Sequence, residues 1–351
     1  MGHQQRVTAL GRLGYWFDDS GVLRDADEKK FVFSTQEQYE ALGEAVTEEV
    51  YKLLVTRCGL IKTPLKPVDK PNERDEDLSF IYVSPDCQKK DILLVLIHGS
   101  GVVRAGQWAR RLCINNSLRS GSQMSYINRA QELGWGVVVM NTNECESRDE
   151  ALKYSRHPVE HAMTAWKAWV ENSQAQKIYV VAHSRGGSDL SEVLRRHGRD
   201  ERLIAVCLTD SWFTFSEAVL ARENPLIVVN FAARGYDAEY TVTDFAPGKV
   251  QQLYAGTNIH EWSSHCAIDA IFNIFLREIS VPNFRAVVEE SKTMVAGEDE
   301  PEEDPEPGED DEEEESSEES DLDDGVEIDE EDDVVDRLGG EKASSDELPE
   351  E

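Results

Sequence analysis

The apolar positions of this chain change period along its length. Between residues 35 and 57 they recur at helical spacing: Tyr39, Leu42, Val46, Val50 and Leu53 share one face, and Gly59 follows as a stop. Ser34 and Glu37, three residues apart at its start, read as a capping box. Before this helix, "YWFDDSGVLRDADEKKFVF" has two β-prone ends around Asp18, Asp19, Ser20 and Gly21, the pattern of a hairpin. After it, "KTPLKPVDKPNERDED" is polar and proline-bearing and reads as a linker or loop.

From "LSFIYVS" onward the apolar residues come in continuous runs: "DILLVLIHGSG", "WGVVVMN", "KIYVVAHS", "RLIAVCLTD", "PLIVVNFA" and "KVQQLYAG". Helical stretches stand between them, around Tyr126 to Leu133, through Met163, Trp166 and Val170, and over 186–197 and 263–279. Continuous apolar strands alternating with helices predict an α/β fold with a mostly parallel central sheet and helices on both faces. Sites in such sheets lie at the C-terminal ends of the strands. The polar residues at those ends are His98, Asn141, Ser184, Asp210 and His260.

Charge divides the chain. Of its net −34, −29 falls on residues 298–351, where 31 acids meet only Arg337 and Lys342. The body is nearly balanced. The tail has too few apolar residues to offset its ordering entropy, so residues 296–351 are expected to be a disordered acidic segment. Its "DLDDGVEIDEEDDVVDRL" stretch interleaves apolar residues with acids and suits a basic, apolar protein surface. The expected layout is a hairpin and amphipathic helix over 1–70 packed on a main domain over 71–295, then the tail. No apolar run of about 18 residues is present, so no membrane span is expected. The first residues, "MGHQQRVTAL", lack the apolar core of a signal peptide. The six cysteines show no CxxC spacing and read as reduced thiols. A nuclear or cytoplasmic protein is expected, not a secreted one.

The sharpest candidate chemistry is "KIYVVAHSRGGSDL", residues 177–190. A strand runs into Ala182-His183-Ser184-Arg185-Gly186, close to the G-x-S-x-G nucleophile elbow, with Ala182 in place of the first glycine. Small neighbours let the backbone bend sharply enough to expose the serine. Acyl transfer also needs an oxyanion hole. The Arg185 amide is one donor of that kind, and the Gly99-Ser100-Gly101 loop after an earlier strand supplies the other. In chain order serine, acid, histidine, the base is His260 in "AGTNIHEW", with His265 as a second candidate. Asp210, at the end of "AVCLTD", is the favoured acid, and Asp237 and Asp244 are the alternatives.

"HPVEH", His157 to His161, resembles a zinc-peptidase string. Pro158 suits a first helical position, which makes His157 a cap. No metal and no cofactor are expected. The arginines near residues 104–111 and 195–202 do not outweigh the acidic tail, so direct nucleic-acid binding is not expected.

"VLIHGSGVVRAGQWARRLCINNSL" closely resembles the signature of the Arb2 (Arb-two) domain family, the Argonaute-binding proteins and their animal cotranscriptional-regulator relatives. "FVFSTQEQYEALGEAVTEEVYKLL" upstream is similar to the helix preceding that domain. "VVVMNTNE", "EHAMTAW", "VVAHSRGGSDLSEVL", "AVCLTDS" and "AGTNIHEW" follow in the family's order. The resemblance covers roughly Gly14 to Glu278. It implies an α/β-hydrolase-like fold with Ser184 at the nucleophile position. It also implies a role as an adaptor linked to Argonaute, small-RNA-directed heterochromatin or chromatin-linked splicing factors. The residues themselves leave a second reading open, an intracellular serine hydrolase acting on an ester, thioester or amide.

Overall fold

The structure is a computed structural model that describes residues 8–147, 150–220, 226–233, 249–277 and 283–297. The acidic segment from 298 onward lies outside the described residues, as do Asp237 and Asp244.

Eight strands form the central sheet: β1 (Ile61–Pro64), β2 (Phe80–Val83), β3 (Ile92–Ile97), β4 (Gly136–Val139), β5 (Lys177–His183), β6 (Leu203–Thr209), β7 (Ile227–Ala232) and β8 (Gln251–Tyr254). Their order across the sheet is β1-β2-β4-β3-β5-β6-β7-β8. β1 pairs with β2 and β2 with β4 antiparallel, and every other neighbour is parallel. One reversal of order, between β3 and β4, with an antiparallel hairpin at the first edge, is the topology of the α/β-hydrolase fold.

The alternation of side chains along β3 shows how both faces are filled. Leu94 and Leu96 enter one core with Val137, Val139, Val181 and Cys207. Leu93, Val95 and Ile97 enter the other with Val138, Val180 and Val206. The first face is covered by α1 (Gln36–Thr56), α2 (Met124–Glu132) and α5 (Ile268–Leu276), through Val46, Val50, Ile127, Ile271 and Phe272. The second is covered by α3 (Pro158–Ala165) and α4 (Gly186–His197), through Ala162, Ala165, Leu190 and Val193. Because strands such as β5 are buried on both sides, their sequences show no polar alternation.

Three local features differ from the sequence expectation. The cap of α1 is Thr35, whose Oγ1 accepts from the Gln38 amide at 3.2 Å, one residue later than Ser34. Residues 62–64, expected in a linker or loop, belong with Ile61 to the edge strand β1. Pro64 is tolerated there because an edge strand needs amides on one side only. The helix begun by α3 continues as a π-helical turn, Trp166–Glu171. The N-terminal hairpin is present but short, pairing Trp16–Phe17 with Leu23–Arg24.

The segment 105–123 crosses the ends of these elements under tight constraint. The Gly121 carbonyl accepts from the amides of Trp108 and Ala109, at 2.8 and 3.1 Å. A Cβ at Gly121 would stand 2.3 Å from the Cys113 nitrogen and 2.8 Å from the Ala109 oxygen, both backbone atoms. Gly121→Ala is therefore expected to cost roughly 1–3 kcal/mol of stability. Thermal unfolding checks this, and an unchanged melting temperature would contradict the packing described.

Candidate active site

Ser184 opens the turn between β5 and α4 with φ at +51°, in the left-handed region. That backbone costs an L-residue about 1–2 kcal/mol, so the surroundings have to enforce it. The Ser184 amide donates to the Thr209 carbonyl at 3.1 Å, which ties the turn to the end of β6. Its carbonyl accepts from the Gly187 amide and from the Ser211 hydroxyl. Three glycines leave room for the turn. A Cβ at Gly186 would meet the His98 oxygen at 2.7 Å, and one at Gly187 the Ser211 Oγ at 2.1 Å. A Cβ at Gly99 would meet the Cβ of Ser184 itself at 2.9 Å. The "GG" after the serine and the glycine of the 99–101 loop thus answer to one crowded point.

Asp210 follows β6 directly, also with positive φ, +44°. Its Oδ2 accepts from His260 Nδ1 at 2.7 Å, and its Oδ1 accepts from the Ala233 amide at 2.8 Å. Burial pushes the Asp210 carboxyl up, but the hydrogen bonds from His260 and Ala233 outweigh it and hold the group below the usual range. An ionised Asp210 fixes the proton of His260 on Nδ1 and leaves Nε2 as the basic nitrogen. The structure therefore brings Asp210 and His260 together from positions 50 residues apart. His265 lies on the helical turn after His260, buried, with its ring against Trp262.

His183, immediately before the serine, had no assigned role in the sequence pattern. It is buried, with Nδ1 at 2.9 Å from the Thr209 carbonyl, and its ring centroid is 4.6 Å from that of His260. Burial pulls its pKa down to about 3, so it packs against His260 as a neutral ring. The Thr209 hydroxyl in turn bonds the Ser264 hydroxyl at 2.7 Å, linking the end of β6 to the segment that carries His260. Nothing in the sequence marks His183 apart from its place beside Ser184.

The glycine loop after β3 is held from beneath. His98 is fully buried, and its Nδ1 donates to the Gly99 carbonyl at 2.8 Å. Gly101 has φ at +78°, a conformation that suits glycine. Asn143 Nδ2 donates to the carbonyls of Gly99, Gly101 and Val103, at 2.9, 3.0 and 3.1 Å. Arg104 reaches the last two of these carbonyls and pairs with Glu144 at 3.2 Å.

The "HPVEH" residues are structural. His157 caps α3 by accepting from the Glu160 amide, and buried His161 accepts the Asn141 amide at Nε2, 3.0 Å, with Ser155 Oγ at 2.9 Å from its Nδ1. A hollow of about 400 Å³ lined by Arg129, Asp269, Asn273, Leu276 and Met294 involves none of the residues at the strand ends. Among the described residues no helix is long and apolar enough to cross a membrane.

Residues 7–151 match the sequence family described as the Arb2 domain. The chain is 57% identical over 293 residues to the FAM172 family protein homolog Y75B8A.31 of Caenorhabditis elegans, an alignment covering 82% of this chain and 93% of that protein. The chain belongs to the Arb2-domain family. The cotranscriptional regulator ARB2A homolog of Gallus gallus is 33% identical over 340 residues, 77% of this chain and 80% of that protein. Cotranscriptional regulator ARB2A of Homo sapiens is 32% identical over 332 residues, 74% and 78%. Among solved structures, the carboxylesterase EstE1 is 16% identical with a TM-score of 0.29, over 49% of this chain and 55% of that one. That likeness is slight, and the fold of this Arb2-domain chain is assigned from its own strand order.

Three buried histidines of this Arb2-domain body set a pH response. Burial lowers His98 to about 4, and His161 and His183 to about 3. An unfolded chain binds protons at these positions from about pH 6.5 downward, while the folded chain does not. The histidine contribution is therefore complete above about pH 6.5 and falls as pH drops toward 4, opposed in part by buried Asp189, which burial pushes up to about 7. Each histidine contributes up to about 1.4 kcal/mol per pH unit in that window. Urea titrations between pH 7.5 and 4.5 check this, and a flat midpoint across the window would contradict it.

Proposed function

We propose that this chain is an adaptor of the Arb2-domain type in cotranscriptional regulation whose body also carries a serine hydrolase site. Ser184 is the nucleophile, His260 the base and Asp210 the orienting acid. The observation that carries the chemistry is the 2.7 Å bond from His260 Nδ1 to Asp210, whose neighbour Thr209 accepts from the amide of a serine held left-handed at a strand-to-helix turn. His260 Nε2 takes the Ser184 proton as Oγ attacks an acyl carbon. Negative charge moves to the carbonyl oxygen, and backbone amides of Arg185 and of the 99–101 loop receive it. The protonated His260 then gives its proton to the leaving group. Water then gives a proton to His260 and attacks the acyl carbon, the bond to Ser184 Oγ breaks, and Oγ takes that proton as the acid leaves. The substrate class is an intracellular ester, thioester or amide.

The adaptor role is supported by the naming of relatives as cotranscriptional regulators. Partners of the Argonaute, chromatin or splicing-factor kind follow from the family resemblance, and a nuclear or cytoplasmic place with them. The acidic tail supplies a second contact for a basic protein surface. Nothing in this role requires catalysis. Partner capture by the full chain is expected to survive Ser184→Ala.

Labelling of the purified chain with a fluorophosphonate tests the chemistry. Ser184 Oγ would bond phosphorus as fluoride leaves and His260 takes the proton. Labelling is expected in the wild type and absent in Ser184→Ala. Asp210→Asn is expected to slow it by about 10⁴-fold. A folded wild type that takes up no probe would remove the hydrolase assignment and leave the adaptor role.

A further inference from the structure

The glycine loop has a specific holder outside the Ser184, His260 and Asp210 set. One side-chain amide, Asn143 Nδ2, shares two protons among three alternate carbonyls of the loop, those of Gly99, Gly101 and Val103. An asparagine oxygen cannot occupy that position, because all three partners are acceptors. The Gly99 carbonyl also accepts from buried His98, so it is bonded twice from the protein interior. In a trans peptide the C=O of one residue and the N–H of the next point in opposite directions. Carbonyls of Gly99 and Gly101 drawn toward Asn143 therefore turn the amides of Ser100 and Val102 away from it. Neither amide has a hydrogen-bond partner among the described residues. A Cβ on Gly99, which carries the first of these peptides, would stand 2.9 Å from the Ser184 Cβ and 3.4 Å from its Oγ.

We propose that Asn143 is the positioning residue of the oxyanion loop and that the Ser100 amide is the oxyanion donor it aims. This rests on the hydrolase reading of Ser184. Arg104 duplicates the bonds to Gly101 and Val103 but not the one to Gly99. His98 doubles the bond to Gly99, so each carbonyl has a second donor, and what Asn143 adds is a single side chain that ties all three carbonyls together. Asn143→Asp keeps the shape, removes both protons and sets a negative charge against three carbonyls. Ser100→Pro removes the donor itself and leaves Asn143 in place.

The test is the rate of fluorophosphonate labelling of the full chain as a function of pH, with melting temperatures recorded for each variant. Both substitutions are expected to lower the plateau rate by about 10²–10³-fold. The midpoint of the Ser100→Pro profile should stay at its wild-type value, because that change adds no charge and leaves the His260–Asp210 pair untouched. A general disturbance of the site would move the midpoint as well, and that result counts against the assignment. Folded variants that label at the wild-type rate overturn it while leaving the hydrolase reading intact. A wild type that does not label removes both. If the Asn143 variant fails to fold, Ser100→Pro alone decides whether the Ser100 amide is the donor.

Discussion

The left-handed backbone at Ser184 is the constraint around which the site is arranged. A residue held there needs a rigid approach, a rigid departure and empty space beside it. β5 supplies the approach, buried on both faces and paired in parallel with β3 and β6. α4 supplies the departure, starting two residues later and packed through Leu190 and Val193. Gly99, Gly186 and Gly187 supply the space, and each would bring a Cβ within 3 Å of another group. The strain is small beside the burial of two sheet faces, so the fold can sustain it. The ends of β3, β5 and β6 are held together at this one point, which is why residues far apart in sequence share it.

The electrostatics around the point separate one charged pair from several neutral rings. Asp210 stays ionised against its own burial because two donors face it. His98, His161 and His183 are buried without a carboxylate partner and are driven neutral. A second charged imidazole 4.6 Å from His260 would oppose any positive charge that His260 gained. Neutral His183 fills that place with shape and no charge. Its Nδ1 is committed to the end of β6, the same strand whose next residue is Asp210.

The sheet was legible because continuous apolar runs broken by helical stretches admit few arrangements. Ser184, Asp210 and His260 were legible because polar residues at the ends of such runs stand out. What escaped depended on contacts rather than pattern. The Ser34–Glu37 pair satisfied the spacing of a cap, but the chain enters α1 at Thr35, which the spacing does not resolve. β1 was hidden by Lys62 and Pro64, since an edge strand needs neither apolar alternation nor a full set of amides. Asn143 looked like one polar residue in "NTNE". Its significance comes from three carbonyls some 40 residues earlier, brought under it by the β3–β4 reversal.

A docking body and an enzyme place different demands on this architecture. A docking surface requires a stable body and exposed side chains, and the two packed cores would supply the first without any unusual backbone. Glycine would relax the backbone at 184 and at 210, and the glycine loop would need no interior holder. Instead a serine and an aspartate sit in left-handed conformations, the aspartate accepts from one nitrogen of a histidine, and an asparagine bonds three carbonyls of the glycine loop. These features share no role in binding a partner at the surface. The proposed hydrolase function gives them a common use, because charge would then develop on an atom bonded to Ser184. The regulatory naming of the relatives and the geometry of the strand ends therefore concern different parts of one molecule. Under the proposed function the adaptor role would belong to the surface and tail, and the chemistry to the point where β3, β5 and β6 end.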